Sequence, residues 1–460
     1  MKLIHFLPAV IQQRVLKCSD SDGFLLMILY HQLNKADQQI SQKYYIAYNA
    51  VNGFSYMCLG EAVILLFAVK LGCSDGVAAV LGSMIHLGFL LLPLGKLMTA
   101  RSGAAGSQAN FWVLRNLAAL IVAAAAPAAI WWGNIPASIL LVTGSFLFYG
   151  FRAAGVVMSQ PLIGEFCPAE EQGGFIFKSW CWFYASGLAA LLLVSFVLRV
   201  NQSIWMLQAV IVTGTISGLI SSGFIRKIRE SGDIMISARK PLRQAVVNTF
   251  HNPDVIRQLF AGMSCNTVTI MTVPISMLAL KRGFQVSDSS ALLYSLIQFG
   301  SSIVICMLLS RTADRFGGKK VTAAGFYGLY LIPIFWLLVP ENFCWYWLII
   351  PFLLCPLGSV VVSVGMQQYF LKTVPKDQQI AASMVISVAT GVISGVLGSL
   401  LSAGMLKAAA VINGETGTAL MMYKKYFLGV LLIMPLLGIF LHLLRSESIV
   451  NLDGQNTPAE

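Results

Sequence analysis

Twelve apolar runs, each close to the ~20 residues that a helix needs to cross a hydrocarbon core, alternate with short polar stretches along this 460-residue chain. They fall at 46–70, 76–97, 109–132, 137–160, 175–199 and 203–225, then at 257–280, 289–310, 321–340, 344–370, 380–405 and 426–445. The pattern predicts an all-α polytopic membrane protein with twelve transmembrane helices in two six-helix bundles. Residues 1–44 mix polar and apolar positions, and their one strongly apolar patch, Gly23 to Tyr30, is too short to span. They read as a cytoplasmic or interfacial N-terminal segment. Residues 226–256, opening RKIRESGD, form the longest internal polar stretch. They read as a cytoplasmic linker between an N-terminal bundle at 45–225 and a C-terminal bundle at 257–446, with 447–460 as a cytoplasmic tail.

Composition and charge narrow the class. Hydrophobic residues make up 57% of the chain and charged residues 11%, against about a quarter charged in soluble domains. The net charge of +12 suggests nucleic acid only where bases cluster on a soluble face. Here the bases sit between apolar runs, as the positive-inside rule describes, and no nucleic-acid partner is expected. With the N-terminus inside, 22 of the 31 Lys and Arg fall on the cytoplasmic side and seven outside; Arg115 and Arg152 lie within predicted helices. The nine Trp all lie near predicted helix ends, where interfacial Trp concentrates. The nine Cys include no C-x-x-C, so neither a metal nor a disulfide framework is indicated, and no cofactor is expected. The start, MKLIHFLPAVIQQRVLK, has no small-residue cleavage site. Short loops and the charge asymmetry point to a bacterial inner (cytoplasmic) membrane, with both termini cytoplasmic.

One polar island stands out. Arg311 to Lys320, RTADRFGGKK, joins the eighth and ninth runs. Asp314, Arg315, Gly317 and the Lys319-Lys320 pair resemble the loop motif of the major facilitator superfamily, an Asp-Arg-x-Gly-(basic) cluster between the second and third helices of a six-helix half. A degraded copy is expected after the second run, where GKLMTARSGAAG places Arg101 and Gly103 at an offset of 214 from Arg315 and Gly317, with Ala100 in place of the Asp. EFCPAEEQGG and KTVPKDQQIA set Pro168 against Pro375 at an offset of 207. The resemblance covers about residues 45–446 and implies parallel duplicated halves, alternating access, and a gating role for Asp314 and Arg315, paired with helix ends in one state. FYGFRAAG in the fourth run has Arg152 and Gly155 three apart where the family often has four, and the fifth run lacks the Gly-Pro motif of drug antiporters.

Charged groups at membrane depth are costly and face cavities or one another. Glu61, near the middle of the first run, is the candidate proton carrier, and Arg152 the candidate for binding an anion or pairing with an acid. Arg115 reads first as a side chain snorkelling to the headgroups, with a site role as the alternative. Asn49, Asn52 and Tyr56 share a stripe with Gly53 at i, i+3, i+7 and i+4, which either lines the pathway or glues helices together. Asn266 in the seventh run, and Tyr294 and Gln298 in the eighth, are uncharged candidates in the second half. His86 is the one His deep in a run, with a proton relay as its functional reading.

These residues support a secondary transporter of a small polar or anionic organic solute, proton-coupled, with sodium the other coupling ion. A sugar symporter is the rival, since Tyr56, Tyr149, Phe151 and Tyr294 are available to stack; efflux of amphipathic compounds comes next, and a transporter-like sensor is remote. An enzyme would need clustered acids or a His-acid pair at depth, and the runs offer one Glu and one His. The expected partners are the solute, the coupling ion and the lipid bilayer, with the chain a monomer.

Overall fold

The computed structural model describes residues 33–445, apart from 74–76, 78–79, 82–83, 86, 202, 287, 312, 343, 377 and 415–416. Among the described residues every regular element is a helix. Ten helical stretches are long and apolar enough to cross a membrane, and Leu293–Leu309 is a shorter apolar helix. One of the ten, Gly88–Trp132, contains Gly103, where the backbone leaves the helix at φ 75°. That stretch therefore holds two spans, and the spans number twelve.

Helix limits depart from hydropathy at polar ends. The first span starts at Lys35, so residues 35–44 belong to its helix rather than to a separate interfacial segment. Asn34 caps it by accepting the Asp37 N–H at 2.8 Å. The polar turns are held by an ion pair from Asp37 to Arg229 and by Ser41, whose hydroxyl donates to the Arg229 carbonyl and accepts the Arg229 N–H at 3.0 Å. Hydropathy reports where the hydrocarbon ends, and a capped helix continues past that point. In the same way the stretch 226–256 carries helices Asp233–Arg239 and Leu242–His251, and Pro253–Leu278 begins within it, capped by Asn252.

The repeat is clearer in conformation than in sequence. Gly103 and Gly317, 214 residues apart, sit at φ 75°, ψ 179° and φ 78°, ψ 158°, a region essentially reserved for glycine. Helices Gln172–Val200 and Gln379–Val388 start 207 residues apart. The turns before them match: Glu171 N–H donates to Pro168 O at 3.0 Å and Gln378 N–H to Pro375 O at 2.9 Å. Each first-turn glutamine reaches back to the same kind of carbonyl, Gln172 to Cys167 at 3.3 Å and Gln379 to Val374 at 3.1 Å. Two halves built from one loop chemistry follow from this.

Packing shows how the halves meet. One core is shared between them, with Val157, Leu162 and Phe166 buried beside Val364, Leu371, Ile380 and Met384. The other two cores are private, one built from residues 58–211 and one from 261–444. The shared core lies at the face carrying the two glycine loops, so the halves are sealed together there and have separate interiors towards the other face. Several spans are interrupted along their length: the first at Leu59-Gly60, and the seventh, tenth and eleventh by π-helical turns at Ala279–Gly283, Leu357–Val362 and Ala389–Ile393. Such turns loosen the i→i−4 ladder locally.

Candidate functional site

At the sealed face the contact between halves is a carboxylate on a helix end. Asp314, on the short helix Ala313–Phe316, accepts the Gly173 N–H at 2.6 Å and the Gly174 N–H at 2.7 Å. These are first-turn amides of Gln172–Val200, which have no partner inside their own helix and carry its positive pole. Glycine is needed at both places, since a Cβ would stand 2.8 Å from the carboxylate at 173 and 2.7 Å at 174. Gln368 adds a longer contact at 3.4 Å. Lys376 of the second half lies 3.8 Å from Glu165 of the first, and Ser383 donates to the Val157 carbonyl at 3.2 Å. The implied pairing of Arg315 is not seen: Arg315 and Arg101 are both exposed and form no ion pair among the described residues. A guanidinium at this turn reaches water at less cost than it reaches a helix C-terminus.

In the first half Ala100 offers no carboxylate, and the linker supplies one. Glu230 accepts the Ala104 N–H at 2.7 Å and the Ala105 N–H at 3.3 Å, directly after Gly103. A Cβ on Gly103 would lie 2.1 Å from the Glu230 carboxylate. Burial, with Glu165 nearby, pushes the Glu230 carboxyl up from 4.5 to about 7 and outweighs the two amide donors that favour its charged form. The nearby Arg239 donates to the Ala100 carbonyl at 3.3 Å. So the second-half loop bridges the two halves, whereas the first-half loop is tied to the linker.

In the first half a cation lies on an aromatic run that reaches across to the second half. The Arg152 guanidinium lies 4.9 Å over the Tyr56 ring, both half-buried. From Tyr56 a run of ring contacts leads through Phe183 at 5.7 Å to Tyr184 and across to Phe299 of the second half at 5.7 Å, with Trp180 stacked on Tyr184. Gln298 is half-buried beside Phe299 in sequence. Sequence reading missed Trp180, Phe183 and Tyr184, although their i, i+3, i+4 spacing on the fifth span was a legible stripe.

Arg115 does not snorkel. It is fully buried, donating to Asn52 at 3.1 Å and Ser55 at 3.3 Å, with its guanidinium 4.8 Å over Trp112 and 5.5 Å over Phe148. The rotation of its helix turns it into the bundle, where length cannot bring it to the headgroups. Asn52 also accepts from Trp112 at 3.0 Å, so it is interhelical glue. Asn49 bonds back to the Tyr45 carbonyl at 3.0 Å. Asn266 donates to the Thr390 carbonyl in the π-helical turn of the eleventh span. Tyr294, expected at the pathway, is buried against Phe352 at 5.1 Å within the second half's core. Tyr149 is likewise buried, edge-on to Phe148. Glu61 begins helix Glu61–Lys70 just after the break at Leu59-Gly60, rather than sitting mid-helix. Its side chain, and His86 altogether, lie outside the described residues.

The fold and this site define a class: a twelve-helix membrane protein of two repeated halves, joined at one face and crossed by an aromatic run. No protein-family model matches the sequence, and no curated protein matches it either. Solved structures do match in shape. The proton:xylose symporter XylE aligns at a TM-score of 0.62 and 14% identity, over 87% of this chain and 96% of that one. The E. coli fucose:proton symporter FucP aligns at 0.61 and 12%, over 88% and 98%. A bacterial homologue of the iron transporter ferroportin, in an outward-facing state, aligns at 0.68 and 14%, over 87% and 98%. The fold is that of the major facilitator superfamily.

Proposed function

We propose that this chain is a secondary transporter that moves a small organic anion by rocking its halves about a site at Arg152 and Tyr56, with protons as the coupling ion. One observation carries the reading. Arg152 is half-buried on Tyr56, Arg115 is fully buried in the same half, and among the described residues neither pairs with a carboxylate. Unpaired cations at depth are expensive, and an anionic solute would neutralise one of them. The glycine-loop face is the cytoplasmic one, from the distribution of bases, and the sealed arrangement is an outward-facing state of a bacterial inner-membrane protein acting as a monomer. Asp314 is the latch of that state.

A sugar is the second reading, favoured by the rings Tyr56, Phe183, Tyr184 and Phe299 and by the two sugar:proton symporters of like fold. A thermal-shift screen of purified protein against organic acids and neutral sugars at two pH values separates the two. Stabilisation by acids that vanishes in Arg152→Gln supports the anion. Stabilisation by sugars that survives Arg152→Gln overturns it. Glu61→Gln tests coupling: uptake that still follows a proton gradient removes Glu61 from the mechanism.

A further inference from the structure

Away from the interior, a groove of about 1030 Å³ opens on the outside of the bundle between the second and eleventh spans. Its walls come from both halves, Leu90 and Pro93 on one side and Met384, Val388 and Val396 on the other, with Ser399 the only hydroxyl among the described residues. Under it the helices touch closely, since a Cβ on Gly391 would lie 2.6 Å from the Phe89 ring. One end is closed by Val246 and Phe250 of the linker helix Leu242–His251.

We propose that this groove binds an acyl chain of an anionic phospholipid, whose phosphate rests on the basic linker at Arg243 and Arg239. Three observations select that occupant. The walls belong to the membrane-crossing stretches Gly88–Trp132 and Gln379–Asn413, so the surface facing the groove is bilayer hydrocarbon rather than water. The linker helix is amphipathic in the interfacial sense: Arg243, Val246 and Phe250 fall at i, i+3 and i+7, one stripe that carries a base at its start and two apolar side chains in the groove. Arg243 and Arg239 are exposed and form no ion pair among the described residues, and basic pockets beside cytoplasmic helix ends favour anionic headgroups. Because the walls belong to different halves, rocking alters the groove's width, and a bound chain biases the resting state. The inference does not depend on the nature of the solute.

The test uses full-length protein reconstituted with phosphatidylglycerol or phosphatidylcholine, and counts lipids retained by native mass spectrometry after detergent washing. The expected result is selective retention of phosphatidylglycerol, falling roughly fivefold for each of Arg243→Gln and Arg239→Gln, and loss of the retained lipid in Val388→Trp, which fills the groove. Equal retention of both lipids, or retention unmoved by these variants, means annular lipid only and overturns the proposal. A phosphatidylglycerol with a photoreactive acyl chain gives a second measurement on wild-type protein, independent of how variants fold. Crosslinks within residues 384–400 and 87–93 are expected, and crosslinks spread evenly over other spans overturn the proposal.

Discussion

Replacing Asp314 by Asn removes the charge that holds the first turn of Gln172–Val200 against the second half. The carboxylate accepts two amides, at 2.6 and 2.7 Å. Asn keeps one acceptor oxygen and turns an NH2 group towards the second glycine N–H. A hydrogen bond to a charged group is worth about 1.5–3 kcal/mol, and the attraction to the helix pole adds about 0.3–1 kcal/mol. Asp314 is only half-buried, so solvent screening favours the low end. A loss of about 2 kcal/mol follows, felt only in the state sealed at this face, because in the opposite state the carboxylate is hydrated. At about 1.4 kcal/mol per tenfold, the sealed state loses roughly 30-fold in population relative to its alternative. Spin labels at Arg101 and Lys320, exposed positions on opposite halves of this face, report the distance between halves. In Asp314→Asn the longer-distance population should rise and transport should fall, while Ala100→Asn changes neither much. Unchanged distance distributions and normal transport in Asp314→Asn would refute the latch while leaving the topology intact.

Glu230 gives a pH signature. Its carboxyl is raised from 4.5 to about 7, so the folded protein holds a proton that the unfolded chain releases; the stability from this group is full below about pH 4.5 and is lost as pH rises through about 7, a change of roughly 3 kcal/mol at most. Thermal unfolding from pH 5 to 8 should show this slope flattened in Glu230→Gln, and equal slopes in both proteins would contradict it. Gly317→Ala should destabilise by about 1–3 kcal/mol through its backbone conformation. Gly103→Ala should destabilise as well, its Cβ meeting the Glu230 carboxylate at 2.1 Å in addition to the backbone strain; an unchanged melting temperature in either variant would contradict this. Arg115→Met should leave thermal stability unchanged or raised, since it replaces a buried cation with no carboxylate partner and Asn52 keeps its bond from Trp112. A loss beyond about 2 kcal/mol would show the guanidinium to be a structural necessity.

The sequence alone determined the number of spans, their grouping in sixes, the charge asymmetry and the places where the loops repeat. Each of these is a local quantity: hydrocarbon burial needs about 20 apolar residues, and a left-handed turn needs glycine. The offsets of 214 and 207 were legible because Gly103 and Gly317 hold a backbone conformation reserved for glycine and Pro168 and Pro375 open matching turns. Only tertiary structure decided what faces what. Arg115 and Arg152 look alike in a hydropathy trace, yet helix rotation buries one on Asn52 and Ser55 and leaves the other half-buried on Tyr56. Tyr294 has the spacing of a pathway residue and the surroundings of a core. The partners of Asp314 and Glu230 lie 140 and 126 residues away, and the amides they bind belong to every helix start alike. Which start receives which carboxylate depends on how two bundles and a linker pack at one face, and no local pattern encodes that approach.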